Sequence, residues 1–224
     1  MAMPSFTPII EAARRRLGAA GLEARLTQPR SPAELKALTD DRYLSQMSLR
    51  IFRAGLKHSL VDAKWPAFEE VFHGFELRGV RAMPDDALQA LLADTRLIRH
   101  WGKLKSVRDN AAAMIAVAEE HGSFGNWIAE WPATNIVELW DALGKSFTQM
   151  GGNSGPTFLR MVGKDTFILT PSVTAALKHW GAVDALPKNR KDRAAAQSCF
   201  NAWAAETGRP LCQLSLILAA SVEE

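Results

Sequence analysis

The chain has 224 residues, 47% of them hydrophobic and 23% charged, which is the makeup of an ordinary globular protein long enough for one well-buried core or two small lobes. No apolar run reaches the roughly 18 residues of a membrane span. The opening MAMPSFTPII lacks the basic start and long apolar stretch of a secretory signal, so a soluble cytoplasmic protein is expected. A net charge of +3 and a pI of about 9.0 permit a polyanionic partner without requiring one.

The spacing along the chain is helical almost throughout, with apolar residues at i, i+3 and i+4. Ile9–Leu17 opens it, with Arg14–Arg16 on the outer side, and a Gly/Pro-rich loop is expected over Gly18–Pro32. Tyr43, Met47, Ile51 and Ala54 line one face of a helix that ends near Gly55. Val61, Trp65, Phe68, Val71 and Phe72 form the next amphipathic pattern. Pro84-Asp85-Asp86 opens a helix carrying Leu88, Leu91 and Leu92, its acids matched to the positive end of the helix dipole. A long helix follows over Leu104–Glu120, then Phe124–Trp131 up to Pro132, and Ile136–Phe147. Thr170-Pro171 starts another, and Arg190–Thr207 and Leu211–Val222 close the chain. Only short runs such as Thr166–Leu169 alternate like a strand. The fold class is therefore all-α, with about ten short helices and no internal repeat.

The basic runs Arg14–Arg16, Arg96–Arg108 and Lys188–Arg193 read first as solvated helix faces. Cys199 and Cys212 lie thirteen positions apart with no CxxC partner, and the five histidines (58, 73, 100, 121, 179) are scattered. Neither a metal site nor a cofactor is expected, and both cysteines read as buried thiols.

The most informative stretch is Met150–Val183, MGGNSGPTFLRMVGKDTFILTPSVTAALKHWGAV. Gly151, Gly152 and Gly155 permit positive φ and close backbone approach, and Pro156 suits the first turn of a helix. Such a turn aims backbone N–H groups outward at a helix start, which favours a phosphate. The hairpin is placed at residues 141–163, with Gly152, Asn153, Ser154, Gly155 and Thr157 as its phosphate contacts. A plain loop between two helices is the alternative reading.

This stretch resembles the helix-hairpin-helix of the DNA-repair glycosylase superfamily. A second region, from about Asp41 to Met114, carries RAGLKHS (Arg53–Ser59), FHGFELRGVRAM (Phe72–Met83) and LIRHWGKLKSVRDNA (Leu97–Ala111). It is similar to the constitutive 3-methyladenine DNA glycosylase family, which has a closely related IIRHRGKI…NA segment. The resemblance implies a two-lobed helix-hairpin-helix fold over residues 1–224, with a cleft shared by the lobes. It also implies duplex DNA held through hairpin amides, and a damaged base flipped out of the stack for N-glycosidic hydrolysis.

The same resemblance marks departures. The family's active-site glutamate falls at Arg50, which cannot act as a base. Arg50 would repel a cationic base, yet it can grip a phosphate or a carbonyl oxygen; the alternative is a solvated or acid-paired side chain. The aromatic residue after the AGL motif is replaced by His58, which can stack or donate, or serve structure alone. The superfamily's catalytic aspartate falls at Thr170, followed by Pro171 and Ser172. Threonine then proline keeps the helix-capping half of the aspartate's work and loses the acid half. The catalytic acid is thus unassigned, with Asp40, Asp62 and Asp165 as the carboxylates to inspect, and Arg50, His58, Trp101, Thr170 and Ser172 as cleft residues. Trp101 stands where the family has a basic residue and is the first choice for an exposed stacking or wedge side chain. Arg99, Lys103, Lys105 and Arg108 recur at helical spacing, as backbone contacts or as a solvated face. The superfamily's Schiff-base lysine falls at Pro156, so no lyase step is expected unless Lys164 or another lysine substitutes. The family's zinc clip has no match.

The leading expectation is a monofunctional glycosylase of base excision repair. It would act as a monomer on duplex DNA carrying a damaged, alkylated base, in the cytoplasm at the nucleoid. The competing reading is a weak or inactive glycosylase-fold module that binds damaged DNA, and a third is recruitment of the fold to a non-DNA ligand.

Overall fold

The computed structural model describes residues 3–184, 187 and 189–223, so Met1, Ala2 and the Lys188 of the third basic run lie outside the described residues. It is all-α, with fourteen α-helices and no strand among the described residues. Two compact units are formed. One comprises residues 1–30, 132–139 and 163–224, and the other residues 31–131 and 140–162.

The first unit is built from α1 (Thr7–Leu17), α2 (Ala19–Glu23), α12 (Pro171–His179), α13 (Arg190–Thr207) and α14 (Leu211–Ala220). The helix α2 lies inside the stretch expected to be loop; its Leu22 is buried and supplies the anchor that a five-residue segment needs. Phe6, Phe167, Phe200 and Trp203 form the aromatic centre, Phe167 stacking on Phe200 at 4.2 Å. Trp203 Nε1 donates to Pro4 O at 2.8 Å, and Glu206 accepts from Phe6 N at 3.0 Å, which ties the N-terminal segment to α13. Thr166–Leu169 is neither helix nor strand, and Cys199 and Cys212 are buried thiols.

The second unit holds α3 (Pro32–Ala37), α4 (Asp40–Arg53), α5 (His58–Val71), α6 (Leu77–Ala82), α7 (Asp85–Ala90), α8 (Trp101–His121), α9 (Phe124–Glu130) and α11 (Ser154–Met161). The helix α10 (Ile136–Ser146) divides between the units after Leu139. Two elements here escape the periodicity because they are only six residues long. In α3 a capping box closes the first turn, Ser31 Oγ accepting from Glu34 N and Glu34 accepting from Ser31 N. In α6 the Glu76 carboxylate accepts from Arg78 N and Gly79 N. The turn between α5 and α6 takes left-handed φ at His73, Gly74 and Phe75, and Arg42 donates to Gly74 O there.

The core of this unit runs along both sides of α4. Phe52 meets Phe68 and Trp65 on one side, and Tyr43 meets Phe124 and Phe158 on the other. Gly125 is required where α9 crosses α3, since a Cβ would stand 2.8 Å from Leu35 O. The long α8 packs against both α4 and α6.

Candidate functional site

At the C-terminal end of α4 the sequence brings four charges together. Arg53 pairs with Asp62 of α5 at 2.7 Å. Lys103, on the first turn of α8, is 9% exposed; its ammonium donates to Ala54 O at 2.7 Å and to Phe52 O at 3.2 Å. A lysine on the last carbonyls of a helix satisfies acceptors that lack intrahelical donors and matches the negative end of the dipole. Lys103 is therefore a buried cap of α4, not part of a solvated face.

Arg50, one turn before the helix end, is different. It is half-buried, its Nε is shielded from solvent with no hydrogen-bond partner, and it makes no ion pair among the described residues. Burial and repulsion from Arg53 push its pKa down. Lys103 is likewise pushed below the ordinary lysine value, by burial first and then by the Arg50 charge. Desolvation disfavours the charged form of each, and each raises the cost of the other.

The segment that leaves α4 is open to solvent. His58 begins α5 and is exposed, and the neighbouring Leu56 and Leu60 are 38% and 50% exposed. Sequence reasoning passed over both leucines because the helical spacing alone does not tell which face stays uncovered.

The helix α8 also fixes the hairpin. The fully buried Asn110 donates to Thr148 O at 3.1 Å and accepts from Thr148 N at 2.7 Å. Gln149, which has a φ of +63°, donates from its side chain to Gly102 O at 2.9 Å. Consecutive residues Gly102 and Lys103 thus hold the hairpin entry and the end of α4. The motif LIRHWGKLKSVRDNA is a strut joining these parts, and Asn110 and Gln149 are the members that spacing did not single out. Trp101 is half-buried at the start of that strut, where His100 Nδ1 caps the helix by accepting from Lys103 N at 3.3 Å. The other basic residues diverge: Arg99 is exposed, Lys105 pairs with Asp109 at 2.7 Å, and Arg108 pairs with Asp85 at 2.6 Å.

The turn from α10 to α11 is largely open to solvent. Gly151, Gly152 and Asn153 are exposed, and Gly152 has a φ of +58°, where its lack of a Cβ removes the strain. The amides of Gly151 and Gly152 have no acceptor among the described residues. Ser154 begins α11 half-buried, Thr157 is half-buried, and Gly155 and Pro156 are buried. Gly155 answers a close approach: a Cβ there would stand 3.2 Å from Met150 O.

Thr170 lies in the other unit, as the N-cap of α12. Its Oγ1 accepts from Val173 N at 3.2 Å, and its carbonyl accepts from Thr174 N at 2.9 Å, with Pro171 in the first turn. Ser172 is half-buried and lines a cavity of about 420 Å³ with Arg16, Arg25 and Leu216.

The three inspected carboxylates are all engaged. Asp40 accepts from Phe124 N at 3.0 Å and borders a cavity of about 920 Å³ at the N-terminal end of α4, roughly 15 Å along the helix from Arg50 at 1.5 Å per residue. Asp62 holds Arg53. Asp165 accepts from Leu211 N at 3.0 Å and Cys212 N at 2.9 Å, capping α14. Lys164 is buried, and burial lowers its pKa. Among the described residues no three His, Cys, Asp or Glu side chains group as metal ligands, and no helix is long and apolar enough to cross a membrane.

The sequence signature of the methyladenine glycosylase family matches residues 35–150, the stretch from α3 to the hairpin entry. DNA-3-methyladenine glycosylase 1 of Escherichia coli strain K12 is 30% identical over 98 residues, which are 43% of this chain and 51% of that protein. The chain thus spans about half the length of this relative. Among solved structures, 3-methyladenine DNA glycosylase I from Staphylococcus aureus superposes with a TM-score of 0.51 at 17% identity, over 68% of this chain and 92% of that one. The 8-oxoguanine glycosylase/lyase of Methanocaldococcus jannaschii, in complex with DNA, gives 0.52 at 16% identity, over 94% and 93%. At these identities the structures establish the fold, that of the helix-hairpin-helix DNA glycosylases.

Proposed function

The chain belongs to the methyladenine glycosylase family, and on that premise we propose that it is a monofunctional DNA glycosylase that hydrolyses the N-glycosidic bond of a damaged, alkylated base. The observation that carries this reading is the convergence, within the stretch the family signature covers, of the α4 end, the α8 strut and the hairpin entry. Duplex DNA is the partner, and the outward amides of Gly151 and Gly152 ahead of α11 suit a backbone phosphate. His58, Leu56 and Leu60 form the exposed surface that contacts the damaged strand, with Trp101 beside the hairpin entry. Pro156 at the superfamily's lysine position supports hydrolysis without a lyase step.

A second reading, a damage-binding module with little catalysis, is favoured by one observation: Asp40, Asp62 and Asp165 are each committed to a helix N-terminus or an ion pair. Incubating the purified chain with duplexes carrying alkylated, deaminated and oxidised bases separates the two. The glycosylase reading expects free base in solution and an intact abasic strand. Tight binding with no release from any duplex would leave the second reading standing.

A further inference from the structure

Arg50 and Lys103 place two positive charges at the end of α4, and only Lys103 is provided for, by the carbonyls of Phe52 and Ala54. Arg53, on the same helix end, is paired with Asp62. The Nε of Arg50 is a donor shielded from water with no acceptor among the described residues, and no described residue accepts from its terminal nitrogens. Such groups are rare, because the lost hydration is not returned. The hydrogen-bond inventory of arginine is donors alone, so the missing group is an acceptor. A cationic ligand meets two like charges there.

Resting on the glycosylase reading, we propose that Arg50, backed by Lys103, receives the exocyclic carbonyl oxygen of an uncharged damaged base, such as a deaminated one, and that a cationic N-alkylated base is rejected. The chemistry of the leaving group makes this arrangement useful. A cationic base departs neutral and needs little help. An uncharged base keeps the electron pair of the broken C1′–N bond and departs as an anion, with negative charge on its ring and exocyclic oxygen. Fixed cations at that oxygen stabilise the charge as it develops. Water then bonds through oxygen to C1′, and the proton it releases neutralises the departed base. Arg50 is a donor throughout and transfers no proton.

Binding of three duplexes by fluorescence anisotropy tests this without requiring turnover: one undamaged, one with hypoxanthine (uncharged, with a carbonyl) and one with 1-methyladenine (cationic at neutral pH). Wild type should bind the hypoxanthine duplex about tenfold more tightly than the 1-methyladenine duplex, the worth of a charge-assisted hydrogen bond. Arg50→Gln, checked for an unchanged melting temperature, should lose that preference and keep its affinity for undamaged DNA. Equal affinities in wild type, or preference for the cationic duplex, would overturn the proposal. So would an Arg50→Gln variant that keeps the preference while its log-affinity against log-salt slope drops by about one, because Arg50 would then be holding a backbone phosphate. Base release is followed in parallel. Preference without release keeps this inference and removes the glycosylase reading, and release favouring the cationic base does the reverse.

Discussion

The sequence resemblance places Thr170 and Arg50 at the acid positions of the superfamily and the family, and the structure treats the two residues in opposite ways. Thr170 is fully absorbed: its hydroxyl accepts from Val173 N, its carbonyl carries the next turn, and Pro171 follows in the first turn of α12. Arg50 is not absorbed, with a shielded Nε and no acceptor among the described residues. A lost functional group whose successor is satisfied by local structure has become structure. One whose successor is left expensive and unsatisfied points to a ligand, because strain of this kind is tolerated where function uses it.

The comparison can be broken with substitutions, starting with the neighbour that makes Arg50 costly. Lys103→Met removes the donor from Ala54 O and Phe52 O, and unfolding in urea should show a loss of about 2 kcal/mol. The same pair gives a pH test. Lys103 titrates below a free lysine because of burial and then of Arg50. Between its lowered folded value and that of the unfolded chain, the unfolded state binds more protons. The unfolding free energy of wild type should therefore rise relative to Lys103→Met as pH is raised through that window. A flat or falling difference would remove the electrostatic account.

Thr170→Ala should cost about 1 kcal/mol through the lost cap, with Thr170→Asp restoring it, and neither should alter which duplex is preferred. A change of preference in the alanine variant would return Thr170 to the binding machinery. The smallest effect is the most pointed. Arg50→Met should melt at or above the wild-type temperature, worth between about 0 and 1 kcal/mol, since an uncompensated cation is exchanged for an apolar side chain of similar length. A clear loss of stability would mean that Arg50 belongs to the fold.

Much of this was legible in the sequence for reasons that are physical. The long helices carried their period, and the Thr170-Pro171 pair announced its helix start. Gly152 marked the turn through the φ it needs, and the strut motif stood out as a resemblance. The short helices were missed because six residues of α3 or α6 hold barely one turn of pattern, and their stability comes from caps such as Ser31 and Glu76 and from packing on α9 and α8. The roles of Lys103 and Asn110 were hidden for another reason. Both bind backbone atoms, of Ala54 and of Thr148, and backbone acceptors leave no trace in side-chain spacing. The isolation of Arg50 is likewise a property of what surrounds it in space.

The most direct test of the account is single-turnover base release from duplexes carrying hypoxanthine or 3-methyladenine, by wild type and by Arg50→Glu. The charge at the end of α4 predicts that wild type accelerates hypoxanthine release over the spontaneous rate more than 3-methyladenine release, and that the glutamate variant reverses the order. A larger acceleration of 3-methyladenine release by wild type would contradict it.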